Sequence, residues 1–394
     1  MVPAADAPFV LLVESHRDPD RERALLFTEP RRLISCRQPS DVLGCLQLLE
    51  GALSEGCFVA GFLAYEAGYG LVPKLARQAP RAPSEHALWF GVFERMRELR
   101  GREVAAWLAE RAGPEPASVS ALRFDRDREQ YRSDFSRIQA HLRAGDSYQV
   151  CQSLRARFDV RGSAAALFAR LRAAQLTPYS ALIDTGEYSI VSLSPELFFR
   201  KRRGQVELKP MKGTAAPGSD AAEDLAIAER MRADPKTRAE NVMIVDLLRN
   251  DIGRLAKPGS VRVPELFAVE RFDSVLQMTS TITAEVEPTL GIAALLQALF
   301  PSGSITGAPK QRTMQIIHEL EPSPRGIFCG SIGYVTPEND ACFNVAIRSL
   351  FVDRKGQGVL GVGSGIVVDS QSDAELDECL LKARFVSDAS TQSR

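Results

Sequence analysis

Several charged side chains stand where the local sequence is built for more than solvation. Lys212 lies in Pro-Met-Lys-Gly-Thr, at the end of a strand-like run through Val206 and Leu208. Pro210 removes a backbone donor, and Gly213 lets main chain approach a ligand closely. A lysine held in such a turn serves as an anion anchor or as an amine nucleophile; the commonplace alternative is a surface lysine on a loop. Glu240 opens an apolar-periodic segment. Far along the chain Glu375, Glu378 and Lys382 recur at i, i+3 and i+7, on one helix face. Alone they read as an exposed charged stripe. Two carboxylates from different helices beside a lysine also suit a magnesium ion that keeps waters and a substrate carboxylate. Glu196, in Ser-Pro-Glu-Leu, reads by itself as a solvated turn residue after proline; in a partly closed site desolvation would favour its neutral form.

These residues need elements to hold them. Helices are expected over 39–50 with Ser40 as cap, and over 129–144 behind Asp127, with Tyr131, Phe135, Ile138 and Leu142 as its apolar stripe and Gly145 as its stop. Further helices are expected over 164–174, 291–299 and 372–388. In the helix that begins near Glu240, the stripe is Val242, Val245 and Leu248, widened by Ile244 and Leu247, and Asn-Asp-Ile-Gly is the stop. FVLLVES, the segment from Gly145 through Phe158, ALIDT, YSIVSL and the alternating runs after 326 read as strands of antiparallel sheet. Arg348 ends one such run and presents a planar donor fork. PSGSITGAPK is a Gly/Ser loop feeding a helix, able to cradle an anion but without the Walker spacing. Gly363-Ser364-Gly365 lacks the dinucleotide fingerprint. The Pro/Ala/Ser-rich stretch 110–122 is the best linker, dividing an N-terminal region (1–115) from a second region (120–388) of one compact body.

Composition excludes several classes. The chain has 394 residues, 25% charged, with a net charge of −1, so no broad basic field attracts nucleic acid. No apolar run reaches the roughly 18 residues needed to span a bilayer. The N-terminus lacks a basic region followed by a long apolar core, so a cytoplasmic protein is expected. Seven scattered cysteines without CxxC, and four histidines without a metal-binding pair, disfavour zinc and a histidine-based triad.

PMKGT, AENVMIVDLLRNDIGR, SITGAPK and GSGIVVDSQSDAELDECLLKA, in that order, resemble the chorismate-utilising enzymes. That family includes anthranilate synthase large subunits, aminodeoxychorismate synthase component I, and isochorismate and salicylate synthases. The match runs from about Arg123 to Phe385. The resemblance implies an α+β fold of two large antiparallel sheets packed face to face with helices outside. It implies Glu240 and Glu378 as direct ligands of Mg²⁺, with Glu375 acting through water, and Glu196 as general acid. Backbone amides at Gly213, Thr214, Gly363 and Gly365, with Ser364 between the last two, and the cations Arg348 and Lys382 would bind the substrate. Phe328 stands where anthranilate synthases often have a tyrosine, and Gln277 where many relatives have histidine. Gln149 stands where water-using relatives carry a base lysine; an amide takes no proton, which favours ammonia as the nucleophile.

Lys212 itself resembles the aminodeoxychorismate synthases, since anthranilate synthases have alanine there. The implied reaction converts chorismate and ammonia to 4-amino-4-deoxychorismate, on the route to 4-aminobenzoate and folate. The ammonia would come from a glutamine amidotransferase partner. Two other readings stay open: anthranilate synthase component I, and a protein of this fold that only binds an effector or partner. Leu12-Val13-Glu14-Ser15 resembles the strand that lines an effector pocket, which binds tryptophan in some members; it reads equally as a core strand.

Overall fold

The computed structural model describes residues 7–15, 18, 21–78, 85–272 and 275–391. Among them lie two large antiparallel sheets, of eleven and ten strands. In the first, Gln149–Arg161 is flanked by Gly307–Ala308 and Gln357–Ile366. The sheet continues through Ser349–Asp353, Tyr188–Ser194, Tyr179–Asp184, Phe9–Glu14, Arg23–Thr28 and Arg97–Arg100. The second runs from Met211–Ala215 through Leu276–Glu285, Gln205–Lys209, Leu197–Arg202, Ala341–Asn344, Ser331–Val335, Phe58–Leu63 and Leu88–Phe93 to Arg32–Cys36. Their inner faces meet through side chains such as Phe27 of the first sheet, whose ring centroid lies 5.4 Å from that of Phe93 in the second.

The strands from before residue 110 are woven into both sheets. Phe9–Glu14 pairs with Tyr179–Asp184, and Phe58–Leu63 with Ser331–Val335. Within the stretch expected as linker, Ser118–Val119 pairs with the end of Gln149–Arg161.

Helices cover the sheets. Arg128–Arg143 starts where Asp127 and Gln130 cap one another reciprocally, which satisfies two otherwise orphaned donors. It buries Tyr131, Phe135, Ile138 and Leu142, each contributing about 1.5–3 kcal/mol. The helix carrying Glu240 begins earlier than its apolar pattern suggests: it spans Pro235–Gly253, with Asp234 accepting from the Thr237 amide and proline in the first turn. Its buried face is Asn241, Ile244, Val245, Leu248 and Ile252, whereas Val242 is exposed. The expected stripe is therefore rotated, because Asn241 turns inward to accept a hydrogen bond from Ser280 Oγ at 2.6 Å.

Candidate active site

The chain crosses between the sheets twice at one place. Ser194-Pro195-Glu196 links Tyr188–Ser194 of the first sheet to Leu197–Arg202 of the second, and residues 345–348 make the return crossing from Ala341–Asn344 to Ser349–Asp353. The crossings lock together. The Val345 amide donates to the Glu196 carbonyl at 3.0 Å, and Ser194 Oγ donates to the Val345 carbonyl at 2.6 Å. This pair of links presents Glu196 from one crossing and Arg348 from the other.

Glu196 is only 4% exposed. Burial pushes its carboxyl up to about 7, against the partial offset of a hydroxyl donor from Ser304, the charge of Lys212 and the Met211 amide. Ser304 Oγ donates to Glu196 Oε1 at 2.7 Å. Lys212 Nζ donates to the carbonyl of the same Ser304 at 3.2 Å. The acid and the amine are thus held by two atoms of one residue.

Gly213 brings the lysine's strand against the helix of Glu240. Its φ of +83° is unfavourable for any side chain, and an added Cβ would lie 2.3 Å from Thr237 Cγ2. Gln277 spends both ends of its amide on this turn: Nε2 donates to the Gly213 carbonyl at 2.7 Å, and Oε1 accepts from Thr214 Oγ1 at 2.8 Å. In this structure Gln277 shapes the loop, and each end of its amide keeps one further hydrogen-bonding position.

The acidic residues converge on the same place. The Glu240 carboxyl is raised by burial; Lys212 and Lys236 pull it down, while Glu375 and Glu378 push it up. Glu378 pairs with Lys382 at 2.6 Å, and Lys382 Nζ also donates to the Gly363 carbonyl at 2.9 Å. Glu375 is 8% exposed and accepts from Ser370 Oγ at 2.7 Å. Among the described residues no group of three or more His, Cys, Asp or Glu side chains is drawn together as a ready metal cage. Magnesium does not require one, since it is commonly held by one or two carboxylates with waters. Carboxylates that repel one another, one of them further disfavoured as an anion by burial, are a donor set that a divalent cation would relieve.

Gln149 is fully buried, and neither its Nε2 nor its Oε1 has a hydrogen-bond partner. A buried amide left unpaired costs about 1–3 kcal/mol, so Gln149 is suited to a ligand or an ordered water that completes it. Gly365 lies beside it: an added Cβ would come within 3.1 Å of the Gln149 side-chain carbonyl carbon. The strand register sets Gly363, Ser364 and Gly365 opposite Ser153, Gln152 and Cys151. Ser364 Oγ is 3.4 Å from the Tyr131 hydroxyl. Arg348 has no carboxylate partner among the described residues, and burial lowers its pKa. It also takes a φ of +51°, a strained conformation for a side-chain-bearing residue. A desolvated guanidinium without a carboxylate partner is a donor fork suited to an anion. Phe328 packs on Gly361 and beneath the Arg155 guanidinium, 5.4 Å from its ring centroid.

A separate cavity of about 80 Å³ lies between the sheets, lined by Glu14, Arg23, Tyr179, Arg200, Tyr334 and Asn344 among others. Ser15, next to Glu14, has a buried Oγ without a partner.

Two positions that shape the site escape the sequence reading. Ser304 sits in the Gly/Ser loop expected to cradle an anion, yet its polar groups turn inward: Ser302 Oγ is 3.0 Å from Ser304 Oγ, and Thr306 Oγ1 donates to the Ser302 carbonyl at 3.0 Å. Arg325, 1% exposed at the side chain, donates to the carbonyls of Ile305 and Cys151 at 3.0 and 2.9 Å and ties this loop to Gln149–Arg161. The sequence Ser-Gly-Ser-Ile-Thr-Gly-Ala-Pro marks a loop but carries no sign of what its hydroxyls face.

Lys212 links the acid at the sheet crossing to the carboxylates: its charge acts on both Glu196 and Glu240, and Glu240 in turn feels Glu375 and Glu378. The chain belongs to the family described as chorismate binding enzyme, which it matches over residues 12–388. It is 45% identical to aminodeoxychorismate synthase component 1 of Klebsiella aerogenes over 284 residues, 71% of this chain and 63% of that protein. It is 43% identical to the protein of the same name from Salmonella typhimurium, over 71% of this chain and 62% of that one. The chain thus spans a little under two thirds of the length of these relatives. Among solved structures, anthranilate synthase component I from Streptococcus pneumoniae TIGR4 superposes with a TM-score of 0.78 at 26% identity, covering 94% of this chain and 93% of that one.

Proposed function

We propose that the protein aminates chorismate to 4-amino-4-deoxychorismate, the activity named in its relatives aminodeoxychorismate synthase component 1. The observation that carries this reading is the joint seating of Lys212 and Glu196 on Ser304, with Lys212 also acting on Glu240. The Lys212 amine attacks the ring carbon beside the one bearing the carboxylate. The double bonds shift and the bond from C4 to its hydroxyl breaks. Glu196, protonated near neutrality, gives its proton to the departing hydroxide, which leaves as water. Ammonia then bonds to C4, the electrons shift back, and the bond to Lys212 breaks. The Glu196 carboxylate takes up the proton that the incoming ammonium loses, so the acid is regenerated.

Arg348 and Lys382 would anchor the substrate's carboxylates, and the Gln149 amide would face the incoming nucleophile without deprotonating water. Glu240 and Glu378, with Glu375 behind them, would hold Mg²⁺; when bound, the ion neutralises the ring carboxylate and withdraws electrons from the ring. The ammonia would be supplied by a glutamine amidotransferase subunit, in keeping with the "component 1" in the relatives' names. The protein would work in the cytoplasm; among the described residues no helix is long and apolar enough to cross a membrane. The cavity at Glu14 would take an effector.

The test is incubation with chorismate, Mg²⁺ and an ammonium salt, with products identified by mass and chromatography. The expected product is 4-amino-4-deoxychorismate, with Lys212→Ala slowed at least about a hundredfold. Anthranilate as product would overturn the reading. Undiminished amination by Lys212→Ala would remove the covalent step, and no turnover at all would support a protein that only binds.

A further inference from the structure

We infer that Ser304 is a positioning residue that sets both the protonation and the aim of Glu196 relative to Lys212. This rests on the amination proposed above. Its side-chain hydroxyl grips the acid and its main-chain carbonyl grips the amine, at 2.7 and 3.2 Å. Any displacement of residue 304 therefore moves both reacting groups.

The residue is itself fixed from three sides. Its hydroxyl lies 3.0 Å from Ser302 Oγ. The carbonyl of its neighbour Ile305 is held by Arg325, whose guanidinium also binds the Cys151 carbonyl and Glu321. Gly303, just before it, packs against Leu247 of the helix that carries Glu240. A loop buried this thoroughly, with its polar atoms turned onto a carboxyl and an amine, is suited to alignment and leaves little of itself for binding an external anion.

The hydroxyl has a definite electrostatic sense. It donates to Glu196, so it stabilises the carboxylate over the acid. The other groups acting on that carboxyl are Lys212 and the Met211 amide, both of which also favour the anion, while burial opposes it. Without the serine donor, the acid should hold its proton to higher pH.

The experiment is an infrared titration of the ligand-free protein, with the Glu196 carboxyl band assigned by its loss in Glu196→Gln. The wild-type carboxyl should titrate at about 7. Ser304→Ala should raise that value by about one to two pH units, the size of one hydrogen bond to a charged group. Ser304→Thr, which keeps the donor, should stay near wild type, and Ser304→Cys, a weaker donor, should fall between. In steady-state amination, the alkaline limb of the kcat profile should move with the infrared value, a shift that mere loss of folded protein does not produce.

An unchanged titration in Ser304→Ala overturns the inference, as does an equal rise in all three variants. An infrared shift in a protein that does not aminate chorismate upholds the role of Ser304 toward Glu196 and overturns the proposed reaction.

Discussion

Glu196→Gln should make the folded protein more stable at alkaline pH while disabling it. Burial moves this carboxyl from 4.5 to about 7 in the folded state. Between those values the folded chain keeps a proton that the unfolded chain has released. The wild type therefore loses stability as pH rises through this window, and above it bears the whole cost of an ionised buried acid. One pH unit corresponds to about 1.4 kcal/mol, so the full displacement is worth about 3 kcal/mol. Glutamine has the same shape, keeps an oxygen to accept from Ser304 Oγ, and carries no charge at any pH. The stability gap between variant and wild type, from urea unfolding, should widen in the variant's favour by about 2–3 kcal/mol between about pH 5 and about pH 8.5. Using the difference between two pH values removes any pH-independent effect of the substitution. Amination should fall by about two to four orders of magnitude, the usual contribution of a positioned acid. A gap that is the same at both pH values would refute the account of Glu196 as a desolvated acid.

Gly213→Ala should destabilise the protein by about 1–3 kcal/mol in thermal or urea unfolding, from the positive φ and the 2.3 Å approach to Thr237 Cγ2. Adding Thr237→Ser, which deletes that methyl, should recover part of the loss; no recovery would place the whole cost in the backbone. Gln149→Leu should stabilise the ligand-free protein by about 1 kcal/mol by removing an unpaired buried amide, while the KM for ammonium in amination rises at least about tenfold. Millimolar Mg²⁺ should raise the thermal midpoint of the wild type at neutral pH but not that of Glu240→Gln with Glu378→Gln. An equal rise in both would move the ion away from these carboxylates.

Local structure was legible where one interaction dominates. The stripe of Tyr131, Phe135, Ile138 and Leu142 is buried as its spacing requires, and Asp127 caps that helix. Where two interactions compete, spacing misleads. Around Glu240 the apolar pattern put Val242 inward, but the Asn241–Ser280 hydrogen bond turns the helix so that an amide is buried and Val242 faces water. The family motifs supplied the identities of Lys212, Glu196, Glu240 and Glu378, yet they carried no distances, because these residues come from four separate elements. The pair of sheet crossings at 194–197 and 345–348 places Glu196 and Arg348, while Lys212, Glu240 and Glu378 arrive on a strand and two helices; each crossing is too short and irregular to leave a periodic signal. The Glu196 and Val345 backbones bond across the crossings, and Ser304 reaches in from a third segment. A crossing also explains why Glu196 is an acid at all. A residue that leaves one sheet for the next passes through the protein interior, so its carboxyl is desolvated by the fold itself, and the neighbouring donors need only tune how far its affinity for a proton rises.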